Sequence, residues 1–585
     1  MRYKIIAELY GALSSTTKRL EKIDILSKFL KLLSEKERDV MYLLMGDIYP
    51  EYNEKRIGIS NQLVIKAISK ATGIETKKII HEWKVIGDLG RVAEKFTLHK
   101  KQATLQSHVL TTEKVLENLR KLPELEGKGT VNKKMGLITE LLTSAEPIEA
   151  KYLIRTLIGD LRIGIQESTI RESMSGAFFD RDKQASKKIQ EAIDKSNDVA
   201  VVFEIARKGK LKELEKISLE VGKPIKAMLA QKVTTIKEGF KALGKFCAVE
   251  YKYDGFRLLI HKKGENISLF TRSLENVTNQ FPEVVGYVQK YVKGNSFILD
   301  SEAVGFDKKT KEYKSFQKIS QRIRRKYNIE KLQKELPVEI NVFDILYYDG
   351  KSQLDEPFEK RTKLLRKIIT KTPYKLIPSK QVITSSEAKA QEFYKKALED
   401  NQEGVMLKNL QAEYKPGRRV GHMLKIKPEE RDLDLVITGA EYGTGKRKGW
   451  LSSFILSCKG DKGEYLEIGK VGTGIKEKSS TSHATVFHKT RRKKESEQGI
   501  TFDELTKKLS PYIFKEKGKN VFITPKIIVS VTYQEIQKSI NYESGFALRF
   551  PRFTALRPDK GLKDIATIKE VQEDFQNQKR NYKYG

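Results

Sequence analysis

Lys252-Tyr253-Asp254-Gly255-Phe256-Arg257 sets a lysine at the end of the alternating run Cys247 to Tyr251, with an arginine five residues on. The run before it alternates apolar and polar residues, and Phe256 to Ile260 is apolar, so two strands are predicted to flank an Asp-Gly turn with Lys252 facing a pocket. A lysine so placed attacks a phosphate once it has lost its proton, which partial desolvation and neighbouring cations favour. On a nucleoside triphosphate the product is a phosphoramidate. By itself the hexamer fits a hairpin with a surface lysine at least as well.

Further charges interrupt apolar strands downstream. Arg272 ends the run from Ile267; Glu302 lies within Phe297 to Val304; Glu403 precedes Gly404-Val405-Met406-Leu407-Lys408; Lys425 and Lys427 alternate with Leu424 and Ile426. One such charge is normally solvent-facing. Together, the carboxylates of Glu302 and Glu403 suit Mg²⁺ or Mn²⁺ beside substrate phosphates, and Arg257, Arg272, Lys425 and Lys427 suit a triphosphate. A Gly-x-x-x-x-Gly-Lys-Ser/Thr loop is absent: Gly443-Thr444-Gly445-Lys446 has Ala440 where the first glycine belongs. Nucleotide transfer fits better than a P-loop kinase.

These residues need a scaffold of several domains. A chain of 585 residues exceeds one core and should split into roughly three or four units of about 150 residues. Helical spacing dominates residues 1–220, as in Ile23, Leu26, Phe29, Leu30 and Leu33, so an all-α domain is expected there. Within it, Gly159 to Gly164 fits a phosphate-approaching backbone and a plain helix–helix turn equally well, and 99–108 reads as an exposed polar loop. Short strands mixed with helices follow, giving an α+β domain over 221–428. Closely spaced strands over 429–585 suggest a small β-barrel of oligonucleotide-binding (OB) type, with a basic insert at 476–500 expected to be a solvated loop.

Charge narrows the partner. Lys and Arg number 112 against 77 Asp and Glu, a net +35, and so one-sided an excess favours a polyanion such as nucleic acid. Cys247 and Cys458 are the only cysteines, which excludes a four-cysteine zinc site and argues against a disulfide framework. No apolar run approaches the ~20 residues of a membrane span. A soluble, cytoplasmic, nucleic-acid-associated monomer with no membrane association is expected.

The ordered set resembles the covalent nucleotidyltransferases, and among them the ATP-dependent DNA ligases of the archaeal and eukaryotic replicative type. The resemblance covers nearly the whole chain and implies a helical DNA-binding domain, an adenylation domain and an OB domain. It implies that Lys252 becomes adenylylated, with Glu250 at adenine, and that Thr271-Arg272-Ser273 supplies a nucleotide-binding arginine. Glu302, in Leu299-Asp300-Ser301-Glu302, takes the position that contacts ribose and metal, and Phe343, in Val342-Phe343-Asp344, the one that stacks on adenine. Glu403 matches the metal carboxylate, Lys425 and Lys427 the phosphate-contacting lysines, and Arg419 a nucleotide-binding position. Arg557-Pro558-Asp559-Lys560 resembles the last motif, whose Arg557, Asp559 and Lys560 would orient the leaving pyrophosphate.

The implied activity is nick sealing in duplex DNA, in replication, repair and recombination, with ATP as cofactor. Gln102-Ala103-Thr104-Leu105 resembles a sliding-clamp-binding element, with Gln106 where an aromatic is often seen. RNA ligases and capping guanylyltransferases share the lysine motif but generally lack the large helical domain. NAD-dependent ligases are disfavoured by the missing zinc cysteines. A non-catalytic nucleic-acid scaffold would account for the charge and the barrel, but not for the co-occurrence of Lys252, Glu302, Glu403 and Lys425.

Overall fold

A computed structural model describes residues 1–98, 109–127, 129–244, 246–314, 316–325, 327–428, 431–443, 447–477 and 500–584. They fall into two compact units, Met1–Lys427 and Pro428–Gly585. The Gln102 segment, most of the 476–500 insert and Thr444 to Lys446 lie outside the described residues.

Thirteen α-helices occupy Tyr3 to Glu215 among the described residues. Their apolar stripes converge on one core holding Tyr3, Tyr10, Leu26, Leu30, Tyr152, Leu153 and Phe203. Side-chain caps start several of them: Asp88, for instance, accepts from the backbone N–H groups of Gly90 and Arg91 at the head of Leu89–Thr97. The same carboxylate pairs with Arg155 at 2.7 Å and Arg162 at 3.2 Å, tying that helix to the Gly159 to Gly164 turn. Lys22 Nζ donates to the carbonyls of Ile163 (2.5 Å) and Gly164 (3.0 Å), so two of the turn's acceptors are satisfied internally.

Two sheets follow in the same unit. Their strands are β1 (Gln231–Lys232), β2 (Cys247–Lys252), β3 (Phe256–Lys263), β4 (Asn266–Thr271), β5 (Ser296–Phe306), β6 (Tyr313–Lys314), β7 (Val338–Tyr348), β8 (Lys351–Ser352), β9 (Leu376–Pro378), β10 (Gln381–Thr384), β11 (Gly404–Asn409) and β12 (Met423–Ile426). One sheet has the order β1-β12-β11-β2-β10; the other runs β4-β3-β5-β7-β8, with β6 on β5 and β9 on β7. Alternation divides β5 in two: Phe297, Leu299 and Ala303 enter a core with Leu258, Ile260, Ile340 and Val342, while Val304 packs with Val249 and Tyr251 of the other sheet and with Tyr253 just after it. The face of β5 carrying Glu302 therefore looks into the crevice between the sheets.

The second unit is strand-rich: β13 (Arg431–Tyr442), β14 (Leu451–Lys459), β15 (Tyr465–Val471), β16 (Ile513–Lys517), β17 (Asn520–Ile523), β18 (Ile528–Tyr533), β19 (Glu535–Lys538), β20 (Phe546–Arg549) and β21 (Arg552–Leu556). Strand β13 pairs with β18 through Arg431 to Val436 and with β17 through Gly439 to Glu441. The register against β14 shifts between Ile437 and Gly439, so β13 changes partner where its ladder is irregular. Leu435, Phe454, Leu456, Val529 and Val531 fill its core, closed by the helix Phe502–Leu509.

Candidate active site

Lys252 is the last residue of β2 and lies opposite Gly404, the first of β11. Gly404 has φ +139°, and a β-carbon there would stand 2.2 Å from the Ile426 carbonyl oxygen. Only glycine allows β11 to run so close to β12 at that point, and this proximity gathers side chains from both. The Glu403 N–H donates to the Lys252 carbonyl at 2.9 Å, and the Asp254 N–H to Gln402 Oε1 at 3.0 Å. Gly255 obeys a similar constraint, since a β-carbon would meet the Ala303 carbonyl oxygen at 2.3 Å. The turn after Lys252 thus presses against β5 next to Glu302.

At the centre, Lys252 Nζ donates to Glu403 Oε2 at 2.5 Å, and Lys427 pairs with the same oxygen. Burial pushes the Glu403 carboxyl up, but the charges of Lys252 and Lys427 hold it below the usual carboxylate range. Lys425 and Lys427 are themselves lowered, first by burial and then by the charge of Lys252. Glu302 feels the opposite balance. Burial drives its carboxyl up to about 8 despite Lys252 and Arg257, with Glu403 and Asp300 adding to the push. Among the described residues no group of three or more His, Cys, Asp or Glu side chains is placed to hold a metal.

One wall is a charged network around Phe343. Arg257 Nε donates to Asp300 Oδ1 at 2.7 Å, and its Nη2 pairs with Oδ2. Tyr414 Oη donates to Asp300 Oδ2 at 2.7 Å and accepts from Arg257 Nη2 at 2.9 Å and the Met228 N–H at 3.1 Å. The guanidinium lies 5.2 Å from the Phe343 ring centre. The Lys408 ammonium lies 4.8 Å from the same ring and donates to the Phe343 carbonyl at 3.1 Å.

The crevice thus collects Lys252, Arg257, Glu302, Phe343, Glu403, Lys425 and Lys427. Other expected residues stand apart. Glu250 is buried in an ion pair with Lys408 at 2.7 Å and accepts from Gln381 Nε2 at 2.8 Å. Arg272 is exposed just beyond β4, and Arg419 is exposed in the β11–β12 connection, where its charge adds to the depression of Lys425. In the second unit, Arg557 bonds Asp559 through Nε at 3.0 Å and Asp434 through Nη1 at 3.0 Å, while Lys560 reaches Asp434 at 2.5 Å. Asp300, Lys408 and Tyr414 thus belong to the crevice, and Asp434 to the Arg557 cluster of the second unit, without having been singled out by sequence. Asp300 and Asp434 carried a signal, each being a charge within an apolar strand.

This chain is matched by models of three consecutive regions: the DNA ligase N terminus over residues 2–175, the ATP dependent DNA ligase domain over 227–427 and the ATP dependent DNA ligase C terminal region over 447–560. The DNA ligase of Nanoarchaeum equitans is 43% identical over 580 residues, covering 99% of both chains. The chain belongs to the ATP-dependent DNA ligase family. The DNA ligase of Methanocaldococcus jannaschii is 38% identical over 600 residues, covering 99% of this ligase and 100% of its relative. A solved structure titled Pmar-Lig_PreS3, 18% identical, overlays on 94% of this ligase and 99% of its own length with a TM-score of 0.54, a likeness of fold. The architecture is accordingly a helical N-terminal region, a central nucleotidyltransferase domain and a strand-rich C-terminal domain. No helix among the described residues is long and apolar enough to cross a membrane.

Proposed function

We propose that this ligase seals nicks in duplex DNA with Lys252 as the covalent carrier of AMP. The observation that carries the assignment is the Lys252 Nζ to Glu403 contact of 2.5 Å at a strand end beside Lys425 and Lys427. Lys252 Nζ sheds a proton, for which Glu403 is the acceptor within reach, and attacks the α-phosphate of ATP. The bond to the β-phosphate breaks and pyrophosphate leaves. AMP then passes to the 5′-phosphate at the nick, and the 3′-hydroxyl attacks that phosphate with AMP as leaving group. Phe343 is the ring offered to the adenine, and Arg257, Lys425, Lys427, Arg272 and Arg419 are the cations offered to the phosphates. Glu250, held by Lys408 and Gln381, is the carboxylate offered to the adenine.

We assign residues 1–220 to DNA binding, 221–428 to adenylation and 429–585 to an OB-type domain whose Arg557, Asp559 and Lys560 orient the pyrophosphate. A replication sliding clamp remains the partner proposed for the segment near Gln102. Glu302 and Glu403 suit Mg²⁺, a hard cation commonly held by one or two carboxylates with substrate phosphates completing its shell. When bound it supplies charge neutralisation at the triphosphate.

The test is direct. Protein incubated with α-labelled ATP should become labelled and, when chased with nicked duplex DNA, pass the label to the 5′-phosphate before sealing. Nicked RNA, and labelled GTP, ADP or NAD⁺, test the choice of substrate and nucleotide. Labelling by no nucleotide would sink the assignment.

Glu302 gives this step a pH dependence. A metal ligand must be ionised, so affinity should rise about tenfold per pH unit until the carboxyl has lost its proton near pH 8, then level off. The Mg²⁺ concentration giving half-maximal labelling is expected to fall accordingly, and Glu302→Gln to remove the slope. Stability runs the other way: between the ordinary carboxyl value of 4.5 and about 8 the unfolded chain binds fewer protons at this site, so its contribution declines as pH rises through that window.

A further inference from the structure

Asn341 lies at the centre of β7 with no exposed surface, and neither Oδ1 nor Nδ2 has a hydrogen-bond partner among the described residues. A buried carboxamide with both ends unsatisfied is costly, and native structures keep few of them. Its position gives the reason. In the antiparallel ladder Glu302 of β5 lies between Arg257 of β3 and Asn341 of β7, so the three form one row across three strands. Residues directly opposite share a face, with β-carbons about 4.5–5.5 Å apart. Ile340 and Val342 turn into the opposite core, which leaves Asn341 and Phe343 on the crevice face with Glu302.

Neighbouring carboxylates are already engaged. Glu339, two residues before Asn341, accepts from Tyr313 Oη at 2.7 Å and from the Tyr374 N–H. Asp300 is held by Arg257 and Tyr414. Glu302 is the acceptor left for this amide on that face. We propose that Asn341 is a positioning residue for nucleotide loading: when the nucleotide enters, its Nδ2, unpaired beforehand, comes to donate to the Glu302 carboxylate and fixes that carboxylate toward the nucleotide. The proposal rests on the role assigned to Glu302 above.

Four measurements on full-length protein test it. Asn341→Leu, with the same branching and heavy-atom count but without polar atoms, should slow labelling by α-labelled ATP about tenfold, the lower end of what removal of an orienting partner costs. Binding of a fluorescent ATP analogue, measured in a Lys252→Ala background that cannot react, should weaken as well. The melting temperature should hold or rise, because two unsatisfied buried atoms are gone. In a Glu302→Gln background, where no carboxylate remains to position, Asn341→Leu should have no further effect on labelling. A labelling rate within about twofold of the parent, or an undiminished loss in the Glu302→Gln background, would overturn the proposal, as would a fall in melting temperature with labelling intact. If Glu302→Gln itself leaves labelling unchanged, the assignment of Glu302 fails instead.

Discussion

Lys252→Ala is expected to abolish transfer of AMP from α-labelled ATP to the protein, a loss on the order of a millionfold if the lysine acts as sole nucleophile. Lys252→Arg should fare no better: it keeps the charge that Glu403 binds, but a guanidinium stays protonated and does not attack. The informative control is a nick that already carries AMP on its 5′-phosphate. Sealing that substrate needs only the 3′-hydroxyl as nucleophile, so both variants should retain measurable joining while failing from ATP. A variant that loses both reactions together would point to a collapsed site. Either variant still labelled by ATP would remove Lys252 from its assigned role.

Asp300→Ala should have the second largest effect, on stability and activity together. Asp300 has no exposed surface and takes bonds from both Arg257 and Tyr414, so its removal strands a mostly buried guanidinium. Breaking a buried pair from one side costs about 3–5 kcal/mol, and calorimetry should show a correspondingly lower melting temperature. Replacing both partners with apolar residues, Asp300→Leu with Arg257→Met, should recover much of the stability, because no unpaired charge remains. It should not recover labelling, since the double variant lacks the guanidinium set beside Phe343. A single Asp300→Ala costing under about 1 kcal/mol would show that Arg257 finds solvent, as an exposed pair would.

Local pattern carried much of the central domain. The apolar strands read at 297–304 and 404–408 lie within Ser296–Phe306 and Gly404–Asn409, because period-two alternation records which face a strand buries. Glu302 and Lys425 were visible for the same reason, as charges in otherwise apolar strands. Tyr414 gave no such signal. Its hydroxyl matters only because the chain after β11 returns to β5, bringing it to a carboxylate 114 residues away in sequence. Lys408 misleads in the other direction: a lysine near a strand end reads as solvent-facing, yet it is buried between Glu250 and Phe343. Alternation reports the face of one strand, whereas the partner across the crevice is set by how two sheets stack.

Asp434 has a consequence for how the C-terminal unit meets an anion. Its carboxylate already holds Arg557 and Lys560, so these cations never wait bare in water: the domain carries its own counterion. Any phosphate they receive enters by exchange, one oxyanion for another, and the guanidinium and ammonium go from one charged partner to the next without bearing the full desolvation of an unpaired charge. The swap leaves Asp434 as the group that must find a new donor or turn to solvent. Retention of the anion by this unit is then set by the difference between two carboxylate or phosphate contacts, not by the strength of either alone.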